Sequence, residues 1–170
     1  MVHDAIAYFL TAHTYGSRLH GDAAGSVDAA HNMPGTPPLR RNDARVRDER
    51  GQMTQPPRTL GRPERQCVSD RIVGVCEHRG WKLPALLVRT THWHAVVIAE
   101  GVTPERVLND FKAYATRGLR ETGLVPEDRR VWSRHGSTKS IRDRDAVERA
   151  IRYVVEGQGD PLEPPPILAA

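Results

Sequence analysis

Cysteine is scarce in this sequence: its 170 residues hold only Cys67 and Cys76. Both fall in a stretch that reads as one helix, and at about 100° per residue they point to opposite faces of it. They can share neither a disulfide nor a metal ion there, which excludes a disulfide-held scaffold and leads us to expect buried thiols in a reduced compartment. Long hydrophobic runs are also missing, since no stretch approaches the roughly 20 apolar residues that span a bilayer. The apolar run Ala5 to Leu10 is short and has no basic segment before it, so no signal peptide is expected and the chain is placed in the cytoplasm. Lysine is nearly absent. Of 25 Lys and Arg residues only Lys82, Lys112 and Lys139 are lysines. Arg has a planar fork that pairs phosphate oxygens two at a time and stacks on bases. With 21 acidic residues and a pI near 9.4, the balance points towards a polyanionic partner.

The length suits one compact domain with a real core and is too short for two ordinary ones. Ala5 to His13 (AIAYFLTAH) reads as a strand ended by Gly16. The pattern then fails until about Pro63, across Pro34, Pro37, Pro38, Pro56 and Pro57 and a basic Arg40 to Arg50 segment with room for a short helix. We read residues 23–62 as an insertion that is either flexible or ordered on a partner. Pro63 opens a helix whose stripe is Val68, Ile72, Val75 and Cys76, and Gly80 stops it. Lys82 to Thr90 and Trp93 to Ala99 are neighbouring strands, the first of them at an edge or interrupted at Pro84. Thr103 and Pro104 start a helix with the stripe Val107, Leu108, Phe111, Ala115 and Leu119.

Val131 to Arg134 is a short strand candidate, followed by a polar loop through His135, Gly136, Ser137 and Thr138. A last helix, from about Asp143 to Glu156, buries Ala146, Val147, Ala150, Ile151 and Val154. This order predicts an α+β, ferredoxin-like sandwich, an antiparallel sheet with helices on one face plus a C-terminal helix. Residues 1–160 form the single domain, and 161–170, which include PLEPPP, read as a disordered tail.

Chemistry-bearing side chains cluster late in the chain. His92 and His94 flank Trp93 at the start of a strand, where residues two apart share a face, so both imidazoles can reach one ion. A pair of partly exposed sheet-face histidines is the other reading. Tyr153 lies beside the apolar stripe of the last helix, placed either for packing or to face a cleft on the sheet side. Glu156, Gly157, Gln158 and Gly159 follow it. Arg134, His135, Ser137, Thr138 and Lys139 can hold a phosphate or simply be solvated, and Lys112 belongs to the wet face of its helix or to a DNA surface. His13, Tyr15 and His20 lie at the end of the first strand, beside the same cleft.

The segments VRTTHWHAVVI (Val88 to Ile98), PERVLNDFKAYATRGL (Pro104 to Leu119), VWSRHGSTK (Val131 to Lys139) and IRYVVEGQG (Ile151 to Gly159), with AYFLTAHTYGSRLHGD at the start, resemble the REP-associated tyrosine transposases, within the single-tyrosine HUH transposases of bacterial insertion sequences. The resemblance implies a DNA endonuclease and strand transferase that cuts single-stranded or hairpin DNA through a 5′-phosphotyrosine with Mg²⁺ or Mn²⁺. It implies a nucleoid-associated protein, acting as a monomer or a homodimer. It makes His92 and His94 metal ligands and Tyr153 the nucleophile. The family's third ligand stands four residues after the tyrosine, where this chain has Gly157. Gln158, freed by a left-handed turn at Gly157, is the preferred substitute, and Glu156 the less favoured one. Gly157 also keeps open a catalytically impaired, domesticated DNA-binding protein of the same fold. A metal-dependent hydrolase sharing only the His pair is the third class.

Overall fold

The computed structural model describes residues 5–19 and 41–169. Pro34, Pro37, Pro38 and His20 lie outside the described residues. In chain order the elements are β1 (Ala7–Thr14), α1 (Asp43–Gln52), α2 (Arg62–Arg79), β2 (Lys82–Val88), β3 (His92–Ile98), α3 (Pro104–Glu121), β4 (Trp132–Ile141), α4 (Arg144–Glu156) and β5 (Ile167–Leu168). The five strands form one antiparallel sheet in the order β4-β1-β3-β2-β5. Its first four positions are the expected ferredoxin-like arrangement.

Alternation along each strand divides the core in two. Tyr8, Leu10 and Ala12 of β1, Leu86 and Val88 of β2, and Trp93, Ala95 and Val97 of β3 meet α2 and α3 on one face. All four residues of the expected α2 stripe and all five of the α3 stripe are buried. Pro104 stands in the first turn of α3, and Thr103 caps it by accepting from the Arg106 N–H at 3.4 Å. On the other face, Ala85, Leu87, Val96 and Ile141 pack with Val154, and Ala146, Val147, Ala150, Ile151 and Val155 of α4 complete that smaller core. Helix α4 thus lies across the sheet from α2 and α3. Cys67 and Cys76 are both free thiols. No helix among the described residues is long and apolar enough to cross a membrane.

Four details differ from the sequence reading or sharpen it. Residues 134–139 are strand, not loop: β4 pairs with β1 from Ala7↔Ile141 to Ala12↔Gly136, with a bulge before Thr14↔Trp132. This strand reads as polar because it is an edge strand and its side chains are largely in solvent. Gly136 lets the two strands close, because a Cβ there would come within 2.7 Å of the Thr11 carbonyl oxygen and 2.8 Å of a Leu108 methyl. The tail is likewise ordered where disorder was expected. Ile167 and Leu168 pair with Leu86 and Ala85, and the Arg65 guanidinium, almost wholly buried, donates to the Glu163 and Leu60 carbonyls at 2.9 and 2.8 Å. Pro84 sits where the register of β2 against β3 shifts, so its strand is interrupted there. Within the insertion, α1 is the short helix that the Arg40 to Arg50 segment allowed; it buries no residue.

Candidate active site

Strand parity brings the candidate side chains together. His92 and His94 share the face of Val96 and Ile98, under α4, and the β1 residues opposite them in register are His13 and Thr11. The His92 and His94 rings are 4.8 Å apart, and His13 lies 5.5 Å from His92. The Phe9 ring stacks on His94 at 5.4 Å and 16°. Tyr153, on the last turn but one of α4, completes the group, its ring 5.7 Å from His94 and 5.9 Å from Phe9. Half of Tyr153 is exposed, at 49%, so it lies at the border between the smaller core and solvent.

Helix α4 ends as this site requires. The Gly157 N–H donates to the Tyr153 carbonyl at 2.9 Å, and a Cβ at Gly157 would fall 2.7 Å from that oxygen and 2.9 Å from Tyr153 Cδ2. Gly157 itself has φ of −88°, and the left-handed turn expected there is made instead by Gly159, with φ of 76°. Gln158 lies close enough to His92 and His94 to act on both imidazoles, opposing the lowering of their pKa values. Its Nε2 also donates to the Tyr153 carbonyl at 3.3 Å. Glu156 is exposed. Of the two residues weighed for the third ligand, Gln158 is the one that reaches the imidazoles.

Burial keeps these imidazoles neutral. His94 is pushed down to about 3, first by desolvation and then by the neighbouring imidazoles His92 and His13. His13 is pushed down to about 4 by desolvation and by Arg18. His92 is lowered too, by desolvation and by the positive charges of Arg89 and Arg18, against the opposing effect of Gln158. The Arg18 guanidinium donates to His13 Nε2 at 3.2 Å, and Arg89 donates to the Asp160 carbonyl at 2.6 Å. Neutral imidazoles beside fixed guanidinium charge offer lone pairs to a cation and a positive field to an anion.

The donor set could hold a divalent ion. Two imidazole nitrogens and an amide oxygen leave positions for water or phosphate oxygens, as Mg²⁺ and Mn²⁺ favour. Among the described residues no three His, Cys, Asp or Glu side chains gather into a cage, which is the arrangement a closed structural zinc site uses.

The remaining sequence candidates divide between the two faces. Ser137 and Lys139 are opposite Thr11 and Phe9, so by parity they share the imidazole face, whereas His135 lies where the register of β4 shifts. Thr138 points to the other, where it donates to Glu105 of α3 at 3.0 Å. Lys112 is also there. Its ammonium donates to the Ser133 and Arg134 carbonyls at 2.7 and 3.2 Å, tying α3 to β4, and burial lowers its pKa. Tyr15 lies under the Arg130 guanidinium and accepts from the Thr54 N–H, away from the imidazoles. Tyr114 packs against the larger core with Arg117 over its ring. Sequence reasoning missed Phe9 and Thr11. Their alternation with His13 in β1 was the available signal. Clefts of about 420 and 570 Å³ border Trp81 and Trp132, and none of their lining residues belongs to this group.

No family model matches the sequence, and no curated protein does. Among the solved structures that resemble the fold are two transposases. One is the REP-associated tyrosine transposase bound to a REP hairpin, with a TM-score of 0.50 at 13% identity over 92% of this chain and 68% of that one. The other is a candidate transposase from Deinococcus radiodurans R1, with a TM-score of 0.47 at 14% identity over 91% of each chain. The sheet and helices of this chain therefore have a transposase-like fold.

Proposed function

We propose that this chain is a single-strand DNA endonuclease and strand transferase that acts on hairpin-bearing DNA in the bacterial cytoplasm, with Tyr153 as nucleophile. The observation that carries the reading is the meeting of the His92 and His94 rings, 4.8 Å apart, with Tyr153 5.7 Å from His94 and Gln158 beside both imidazoles. These groups come from two elements far apart in sequence, which the smaller core packs together. Further support comes from the fold, shared with a transposase whose structure holds a hairpin.

His92, His94 and Gln158 would hold Mg²⁺ or Mn²⁺, which when bound neutralises charge gathering on the phosphoryl oxygens. The protein's own residues do the rest. Phe9 and the β1–β3 pairing fix the imidazoles, and half-exposed Tyr153 presents its hydroxyl to a strand lying beside them. The Tyr153 oxygen gives up its proton and forms a bond to phosphorus, the bond from phosphorus to the 3′ oxygen breaks, and that oxygen takes a proton to leave as a free 3′-hydroxyl. The linkage energy is kept in a 5′-phosphotyrosine, so a 3′-hydroxyl of another strand can reverse the step. Arg18 and Arg89 place positive charge where the backbone arrives.

The test is incubation with end-labelled hairpin DNA and Mn²⁺ followed by denaturing electrophoresis. A covalent protein–DNA band in the wild type, absent in Tyr153→Phe while hairpin binding persists, is expected. Binding without any adduct would reduce the chain to a DNA-binding protein of this fold. Neither binding nor adduct would remove DNA from its function.

A further inference from the structure

Each imidazole of the pair has a threonine hydroxyl at the same ring nitrogen. Thr11 Oγ1 lies 2.7 Å from His94 Nδ1, in a contact that is buried at both ends. Thr91 Oγ1 lies 3.2 Å from His92 Nδ1. The two threonines reach their rings by different routes. Thr11 is the cross-strand partner of His94 in the β1–β3 register, whereas Thr91 immediately precedes His92. The Thr91 backbone is itself anchored, its carbonyl accepting from the Thr14 N–H at 2.8 Å and from the Ser17 hydroxyl at 3.1 Å.

A hydroxyl can meet a neutral imidazole nitrogen in two ways. If the hydroxyl donates, the ring proton sits on Nε2 and that nitrogen has no lone pair to offer. If Nδ1–H donates to the hydroxyl, Nε2 keeps its lone pair and faces the cleft. In either case Nδ1 is already engaged, so a cation in the cleft can be served only by Nε2. The Phe9 ring, stacked on His94 at 5.4 Å, blocks rotation of that ring out of plane.

Resting on the proposed reading of this site as a cation site, we propose that Thr11 is a positioning residue. It accepts the Nδ1 proton of His94 and so fixes the tautomer and ring direction that present Nε2, and Thr91 does the same for His92. Groups that orient a ligating histidine through its second nitrogen typically change metal affinity by about 10- to 100-fold when removed. The shorter, buried Thr11 contact carries the larger share.

Thr11→Val keeps the β-branched shape that suits the strand and removes only the hydroxyl, while Thr11→Ser restores it. Two measurements separate this proposal from the reading beneath it. The first is Mn²⁺ affinity by calorimetry on the full chain without DNA. Thr11→Val is expected to weaken it about tenfold or more, Thr11→Ser to stay within about threefold of the wild type, and Thr91→Val to fall between. The second is the His94 tautomer in the metal-free protein, read from ¹⁵N shifts of the imidazole. A single Nδ1–H form is expected in the wild type and the serine variant, and a mixture in Thr11→Val. Unchanged Mn²⁺ affinity in Thr11→Val, or an Nε2–H tautomer in the wild type, overturns the positioning role. A wild-type chain that takes up no Mn²⁺ while showing the expected tautomers overturns the cation reading of the site instead.

Discussion

Gly157 leaves no room for a side chain beside Tyr153: a Cβ there would stand 2.7 Å from the Tyr153 carbonyl oxygen and 2.9 Å from its ring. Gly157, where the transposases that the sequence resembles carry their third ligand, thus leaves the Tyr153 ring its place, and the proposed function moves the amide ligand one position on to Gln158. Gly157→Ala requires the ring or the helix end to shift. Since displacement of a reacting group by about 1 Å can cost about 100-fold in rate, adduct formation should fall at least about tenfold. The stability loss should stay near 1 kcal/mol. Gly157→Gln, which restores the residue type of the family, should lower the rate further. An adduct rate equal to wild type in Gly157→Ala, measured under single turnover, would show that the contact does not position Tyr153.

Gln158 and Glu156 give opposite expectations in one experiment. Gln158 lies beside both imidazoles, whereas Glu156 is exposed on the last turn of α4. Gln158→Ala should need about tenfold more Mn²⁺ for half-maximal adduct, and Glu156→Ala should match the wild type. The reverse ranking would give the ligand role to Glu156, and no change in either would leave a two-histidine site. His92→Ala and His94→Ala should each remove metal-dependent cleavage at the metal concentration where Gln158→Ala is still active.

Much of this was legible because it depended on local spacing. The stripes of α2 and α3 follow from one residue in three or four, and the shared face of His92 and His94 follows from strand parity alone. What was lost lay between elements. Thr11 can be found only once β1 is known to pair with β3 in the register Thr11↔His94, and no local pattern encodes that register. Strand β4 was read as a loop because His135, Gly136, Ser137 and Thr138 have the composition of a turn, while their order comes from β1. Residues 167–168 were read as disordered because their partners, Ala85 and Leu86, lie some eighty positions earlier. Tyr153 sat at the edge of a helical stripe, where packing and catalysis look alike, and only the resemblance singled it out.

The close approach at Gly136 predicts a cost in the fold as well as the site. Gly136→Val would drive a side chain against the Thr11 carbonyl and the Leu108 methyls, pushing β4 from β1 or α3 from the sheet. Overpacking of this kind costs about 1–3 kcal/mol, so the urea midpoint should fall accordingly. Lys139→Ala, on the exposed part of the same strand, should leave the midpoint near wild type. A Gly136→Val midpoint equal to that of Lys139→Ala would mean that the strand is looser than described.

The buried imidazoles also set how stability depends on pH. An unfolded histidine titrates near 6.5, whereas in the folded chain His94 is held at about 3 and His13 at about 4, chiefly by desolvation. Above about pH 6.5 both states are neutral and these groups add no slope. As the pH drops below that value the unfolded chain takes up the protons first, so stability falls with pH until the folded values are reached. For His94 alone the loss at pH 5 is about 2 kcal/mol, and His13 and His92 add to it in the same direction. Urea unfolding of the metal-free chain should therefore give a midpoint that is flat from about pH 8 to 7 and falls steadily from 6.5 to 5. His94→Gln should make that fall shallower, because one of the groups that takes up a proton on unfolding is gone. Saturating Mn²⁺ should raise the midpoint by a similar amount across this range and leave the slope unchanged, since the folded imidazoles are already neutral there. A midpoint that does not change between pH 7.5 and 5, or an unaltered slope in His94→Gln, would show that the imidazoles are far more hydrated than their burial indicates.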